Sequence, residues 1–175
     1  MITGIKGIQD TGKTAVAVAI VMELVAHHGY AWSDVVANIM IKREGVHCIT
    51  NELMRKYVAK MVTGGLRHKV ILFDEADRLF PARFWQEREQ SEALIGLWQD
   101  VKLFNNIIWT GHIGTSVDVM LRQTTQVGII PHYIRTQDLI KVYVFNGLYR
   151  RKFMLTCPNV SKTIFPFYNR WDIVK

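Results

Sequence analysis

Gly7-Ile8-Gln9-Asp10-Thr11-Gly12-Lys13-Thr14 fits the pattern GxxxxGK[ST] at every fixed position. Glycines at both ends let the backbone curl until successive N–H groups point inward, a shape that cradles an anion. A lysine and a hydroxyl follow at once. That pair suits a polyphosphate, with Lys13 for its terminal phosphates and Thr14 for the accompanying Mg²⁺. The flanks agree. Residues 2–8 read as a short apolar strand, and Ala15-Val16-Ala17-Val18-Ala19-Ile20-Val21-Met22 as a buried helix whose positive end faces the anion. The expected nucleotide contacts are Gly7, Ile8, Gln9, Asp10, Thr11, Gly12, Lys13, Thr14 and Ala15, with ATP and Mg²⁺ as cofactors.

About sixty residues on, Lys69-Val70-Ile71-Leu72-Phe73 is an apolar run of strand length that ends in Asp74-Glu75. This is a Walker B pattern. Asp74 at the strand's C-terminal end binds Mg²⁺, and Glu75 polarises the attacking water as general base. Asp74-Glu75-Ala76-Asp77 also spells the DEAD box of RNA helicases. The rest of that pattern is missing. Only six residues precede Gly7, the next strand end reads Trp109-Thr110-Gly111-His112 in place of Ser-Ala-Thr, and 175 residues hold one such domain where a helicase has two.

That length, with 49% hydrophobic residues, suits a single domain over residues 1–175. Cys48 and Cys157 are far apart and the six histidines form no ligand pattern, which fits a reduced, intracellular compartment. No signal peptide is expected. The longest apolar run, residues 15–26, carries Glu23 and falls short of the roughly twenty residues of a membrane span. The net charge of +7 is one-sided. Residues 1–100 carry 12 basic and 12 acidic side chains, whereas residues 101–175 carry 10 and 3. Such a surface suits nucleic acid or an acidic membrane.

Elements alternate along the chain: strands at 35–41, 106–110 and 127–134, and helices at 51–63, 84–101 and 117–125. The turn at Lys42-Arg43-Glu44-Gly45 and the stop at Gly64-Gly65 separate them. In the helix at 51–63 the apolar face is set by Leu53, Tyr57 and Met61, with 54 and 58 beside it. The expected fold is α/β, three-layered, with a largely parallel sheet. Residues 136–175 add a basic hairpin and tail. Asn146-Gly147 between the apolar runs 139–145 and 148–155 predicts a two-residue turn. It would set 143 opposite 150 and 141 opposite 152, with Ile140, Val142, Val144, Tyr149, Arg151 and Phe153 facing the core. Lys141, Tyr143, Phe145, Arg150 and Lys152 share the other face. Two readings fit it: a nucleic-acid backbone site, or a solvated edge whose cations discourage aggregation.

The chain resembles the FtsK/HerA superfamily of DNA-pumping ATPases, within the ASCE division. Inside it, the likeness is to small viral genome-packaging ATPases and Zot-like proteins of filamentous phages. GIQDTGKT, Val36-Ala37-Asn38-Ile39, Ile49-Thr50, FDEADRLFPAR, Leu121-Arg122-Gln123 and the closing residues 167–174 carry it. The resemblance implies a RecA-like fold, a ring (usually a hexamer) and ATP-driven movement of double-stranded DNA. It implies a place in the host cytoplasm or the virion, with a capsid or membrane vertex protein as a further partner. Zot-like proteins continue into a membrane segment and this chain stops first, which favours packaging over single-stranded DNA export. A slow nucleotide switch that moves no DNA is the third reading. The family's sensor glutamine is replaced here, with Thr110 or His112 in its place. Of the arginine-finger candidates Arg78, Arg83, Arg88 and Arg122, the favoured one is Arg122.

Overall fold

The computed structural model describes residues 1–61, 68–81, 105–112, 117 and 119–173. Strands β1 (Ile2–Lys6), β5 (Val70–Phe73) and β6 (Asn106–Gly111) are nearly continuous apolar runs. Such strands need cover on both faces, the condition of a parallel sheet. They lie parallel, with β6 between β5 and β1. Beyond β5 come β2 (Val35–Ala37) and the two-residue β4 (His47–Cys48), both parallel. On the other side β1 meets β7 (Val127–Ile134), also parallel. From there β8 (Leu139–Asn146) and β9 (Arg151–Pro158) continue antiparallel, and the eight strands run β4-β2-β5-β6-β1-β7-β8-β9.

Helices cover both faces. Helix α1 (Lys13–His27) lays Val16, Val18 and Val21 onto a cluster with Ile5, Leu72 and Ile108. On the opposite face α2 (Asn51–Met61), α3 (Ala76–Leu79) and α4 (Val119–Thr124) contribute Met54, Val58, Leu79 and Leu121 to a second cluster around Phe73 and Trp109. The three-layer α/β fold with a largely parallel sheet is therefore what forms. No helix among the described residues is long and apolar enough to cross a membrane.

Several expectations need correction. The strand expected at 35–41 breaks at Asn38. Its second half, β3 (Ile39–Ile41), leaves the main sheet and pairs antiparallel with β10 (Tyr168–Ile173). Asn38 is buried and its side chain is committed to the neighbouring strand end, so the chain turns there. In α2 it is Met54 and Val58 that are fully buried, while Leu53 is half exposed. The helix expected at 84–101 and the stop at 64–65 lie outside the described residues.

The hairpin turn is also longer than Asn-Gly suggests. Asn146 pairs with Arg151 and Phe145 with Lys152, leaving residues 147–150 as the turn. The physical reason is local. The Asn146 side chain accepts the Tyr149 N–H at 3.2 Å, and the Gly147 N–H is taken by the Gln126 carbonyl at 2.9 Å. The register shift is even, so each strand keeps its faces, and Ile140, Val142 and Val144 are buried as expected. Tyr149 and Phe153 are not. They are 72% and 46% exposed, because β9 is the outer strand and Tyr149 has moved into the turn. Arg151 is exposed too, Arg150 sits in the turn at φ 50°, Tyr143 faces Met154 and Lys141 faces Thr156.

Trp109, wholly buried, lies against Gly4 and donates its indole N–H to Thr125 Oγ1 at 3.0 Å. A Cβ on Gly4 would collide with that indole. Gly4→Ala is expected to destabilise the fold by about 1–3 kcal/mol in urea unfolding, the usual cost of overpacking. Gly128→Ala is the control: its Cβ meets only ordinary contacts at 3.9 Å, and it should be neutral or slightly stabilising.

Candidate active site

Four parallel strands deliver their C-terminal ends to one place, where open α/β sheets bind ligands. Gly7 follows β1, Asn38 follows β2, Asp74 follows β5, and Thr110 is the last residue but one of β6. Beside them lies a cavity of about 340 Å³ whose lining includes Gln9, Lys13, Thr14, Asp74, Glu75 and Thr110.

The phosphate loop is tied to β6 by the Gly7 N–H, which donates to the Gly111 carbonyl at 3.3 Å. A Cβ at Gly7 would strike the Thr11 hydroxyl, which donates to the Ile8 carbonyl at 3.0 Å. Gly12 takes φ 90° with its Cα against Ile140, so a side chain there is excluded on both counts. Helix α1 starts directly after it with no side-chain cap. Its first-turn N–H groups lack acceptors within the helix and form an anion site. Ala15 is wholly buried and offers the site only its backbone. The Lys13 ammonium donates to the Ile8 carbonyl at 2.7 Å. Burial lowers its pKa, and the nearby acids Asp74, Asp77, Glu75 and Asp10 oppose that shift. Asp10, at φ 63°, lies 3.3 Å from Arg135.

The acidic strand end is held by hydroxyls and by one amide. Asp74 accepts from Thr110 Oγ1 at 2.6 Å and from Thr14 Oγ1 at 3.0 Å. Burial raises its pKa, and these hydroxyls and Lys13 offset the shift only in part. Asn38 clamps the Asp74 backbone from both sides, accepting its N–H at 2.6 Å and donating to its carbonyl at 2.8 Å. The same amide reaches Asn51 Oδ1 at 2.9 Å. Glu75 takes the left-handed conformation, φ 52°, which costs a non-glycine residue about 1–3 kcal/mol. Its N–H donates to Thr110 Oγ1 at 3.0 Å. One hydroxyl therefore donates to the first acid and accepts from the second. Arg78 Nε lies 2.9 Å from Glu75 Oε2, an ion pair without hydrogen-bond geometry, so that buried oxygen lacks a donor. Asp77 Oδ1 is in the same condition, while its other oxygen lies 3.2 Å from His112 Nδ1.

Orphaned oxygens beside a polar cavity fit a site made to receive further donors. No group of three His, Cys, Asp or Glu side chains forms a metal cage among the described residues. The donor set that the geometry offers is one hydroxyl and one carboxylate, Thr14 and Asp74. That suits Mg²⁺, which keeps its waters and takes the rest of its ligands from phosphates.

Of the residues expected from the sequence, Lys13, Thr14, Asp74, Glu75, Thr110 and His112 all line this cavity. Thr110 is buried, with its hydroxyl engaged by both acids, whereas His112 stands half exposed at the rim. Arg122 is elsewhere. It donates to the Val117 carbonyl at 3.1 Å and lines a different cavity, which Arg150 and Lys152 also border. Arg83 and Arg88 lie outside the described residues. The sequence reading missed Asn38, which carries no motif signal of its own. It also missed an aromatic cleft of about 80 Å³ against Gly12 and Thr14, where Tyr133, Phe165 and Tyr168 meet edge to face. Those rings come from separate elements that no spacing rule connects.

This fold and site define a P-loop NTPase. Residues 4–130 match the family model of the ATPase family associated with various cellular activities (AAA), and the chain belongs to that family. No curated protein sequence matches it significantly. Among solved structures, the N-terminal domain of zonular occludens toxin from Neisseria meningitidis is similar in fold at a TM-score of 0.65 and 14% identity, over 96% of this chain and 98% of that one. The genome packaging NTPase of Sulfolobus turreted icosahedral virus 2, in complex with ATP-gammaS, gives 0.62 and 11% over 87% and 95%. The RadB recombinase gives 0.59 and 13% over 90% and 86%.

The buried Asp74 charge makes a testable demand. A carboxyl whose pKa rises on folding stabilises fully below the ordinary carboxylate pKa, and that contribution is lost as pH rises through the folded value. Without divalent cations, Asp74→Asn is therefore expected to melt higher than the parent at neutral pH, by about 2–4 °C for each kcal/mol of relief. The difference should shrink towards about pH 4. A mutant that melts no higher at neutral pH shows that the carboxylate's hydrogen bonds outweigh its burial.

Proposed function

We propose that this protein is an ATP-hydrolysing motor that moves double-stranded DNA and packages a viral genome, working as a homo-oligomeric ring in the host cytoplasm or at a virion vertex. The observation that carries the reading is the convergence of Lys13, Thr14, Asp74 and Glu75 on one cavity at the ends of the parallel strands β1, β5 and β6. The branch within the ATPases is supported by the likeness in fold to a genome packaging NTPase and by the basic excess in the last 75 residues.

The residues divide the work as follows. The loop's N–H groups and the N-terminus of α1 bind the phosphates. Lys13 exchanges the Ile8 carbonyl for the terminal phosphate oxygens, where its charge stabilises the transferring group. Thr14 and Asp74 would hold Mg²⁺, which when bound neutralises phosphate charge. Glu75 takes the proton of the attacking water. The Arg78 ion pair and the left-handed backbone hold it beside the cavity, and Thr110 fixes its position relative to Asp74. The aromatic cleft of Tyr133, Phe165 and Tyr168 receives the base beside the loop. The hairpin face with Lys141, Tyr143 and Lys152, and Arg150 in its turn, contacts DNA.

A second reading is a Zot-like assembly ATPase that exports single-stranded DNA at a membrane. The observation in its favour is the match in fold to nearly the whole zonular occludens toxin domain.

Two variants and one titration test the proposal. Lys13→Ala should abolish steady-state hydrolysis while leaving the circular dichroism spectrum intact. Glu75→Gln should slow turnover by about 10²–10⁴-fold yet still bind nucleotide. Unchanged turnover in either sinks the assignment of that residue. Duplex DNA should stimulate hydrolysis by the parent protein more than single strands do. The reverse order selects the export reading, and indifference to DNA rejects both.

A further inference from the structure

A second cavity, of about 490 Å³, opens on the sheet face opposite α1, where no described helix covers β7, β8 and β9. Lys6, Arg122, Arg150, Arg151 and Lys152 line it together with Phe145. They come from the end of β1, from α4 and from the hairpin tip, so residues far apart in sequence bring five cations to one concavity. No carboxylate lines it, and none of the five has an acidic partner within ion-pair distance among the described residues. Their environment raises the mutual repulsion. Lys6 is partly buried, 5.4 Å from the Trp109 ring centroid, and burial followed by the Arg122 charge lowers its pKa. Arg122 is anchored by the Val117 carbonyl, and Lys152 is poised 5.7 Å from the Phe145 ring. Beside the cations, the same face exposes Ile130, Tyr143, Phe145 and Met154.

Cations crowded without counter-charge among the described residues, next to apolar and aromatic surface, are the complement of a phosphodiester chain with its sugars and bases. We propose that this cavity is the backbone-binding site for nucleic acid. Lys6 and Arg122 form its floor, and Arg150, Arg151 and Lys152 its rim. The proposal rests on the reading of the protein as a DNA-coupled ATPase, and it gives Arg122 to the nucleic acid instead of to a neighbouring subunit's phosphates. It also places the contact on the strand that feeds the phosphate loop, since Lys6 immediately precedes Gly7.

The test is fluorescence anisotropy of the full chain with labelled duplexes, over a range of salt and without nucleotide. It therefore stands whether or not the protein hydrolyses ATP. The double variant Arg150→Ala/Lys152→Ala should bind about tenfold or more weakly at low salt. Its slope of log affinity against log salt should be smaller by about 2, since each phosphate contact contributes close to one. Lys42→Ala/Lys162→Ala removes the same charge from exposed positions outside the cavity and should leave slope and affinity near those of the parent. Arg122→Ala, and Lys152→Ala alone should the double variant not fold, are each expected to lower the slope by about 1. Two duplexes of unlike sequence should lose affinity equally. Equal losses in both double variants would show that only net charge matters. That result, a loss confined to one sequence, or a parent protein that does not bind would overturn the proposal.

Discussion

One buried carboxylate organises the nucleotide end of this molecule. Asp74 is largely withdrawn from water at the edge of the cavity, and its carboxylate is satisfied by the hydroxyls of Thr14 and Thr110. Meeting that demand fixes the relative positions of α1, β5 and β6. A hydroxyl must come from the first turn after the phosphate loop, and another from the end of the adjacent strand. Asn38 adds a third constraint, gripping the Asp74 backbone from β2. A buried group left without its partner costs about 1–3 kcal/mol, so these elements cannot drift independently. The left-handed Glu75 is a consequence. The chain leaves β5 with Asp74 held by three neighbours and must turn at once into α3.

The sheet has two ends of different character. From β4 to β7 it is parallel and packed by helices on both faces, with acids gathered at the strand tips. From β7 to β9 it is antiparallel and cationic, with no helix among the described residues over one face. Strand β1 belongs to both regions. Its last residue, Lys6, borders the basic cavity, and the next, Gly7, begins the phosphate loop. A single peptide unit separates the phosphate loop from the basic cavity.

Much of this was legible in the sequence. The phosphate loop and the acidic strand end announce themselves because their chemistry is local: each is a strand, a turn and a helix start within about a dozen residues. The parallel core was legible because strands buried on both faces read as unbroken apolar runs. What escaped depends on partners distant in the chain. Asn38 looks like an interruption of an apolar stretch until Asp74 is placed beside it. The hairpin register followed the Asn-Gly rule on paper, but the Gln126 carbonyl and the Tyr149 N–H competed for the same two residues and won. The exposure of Phe153 could not be read from alternation, which assigns faces and says nothing of whether a helix arrives to cover them.

The small second sheet has a consequence for the order in which the molecule is made. Strand β3, joined by one residue to β2, finds its partner only in β10, more than a hundred residues later, and the Lys42 N–H likewise waits for the Phe167 carbonyl at 2.7 Å. Strand β1, too, must wait for β6 and β7 before either of its edges is closed. On a ribosome that adds about 5–20 residues each second, the nucleotide loop is synthesised first and braced last. For several seconds the nascent chain carries unpaired apolar strands, an interval in which chaperone capture competes with folding.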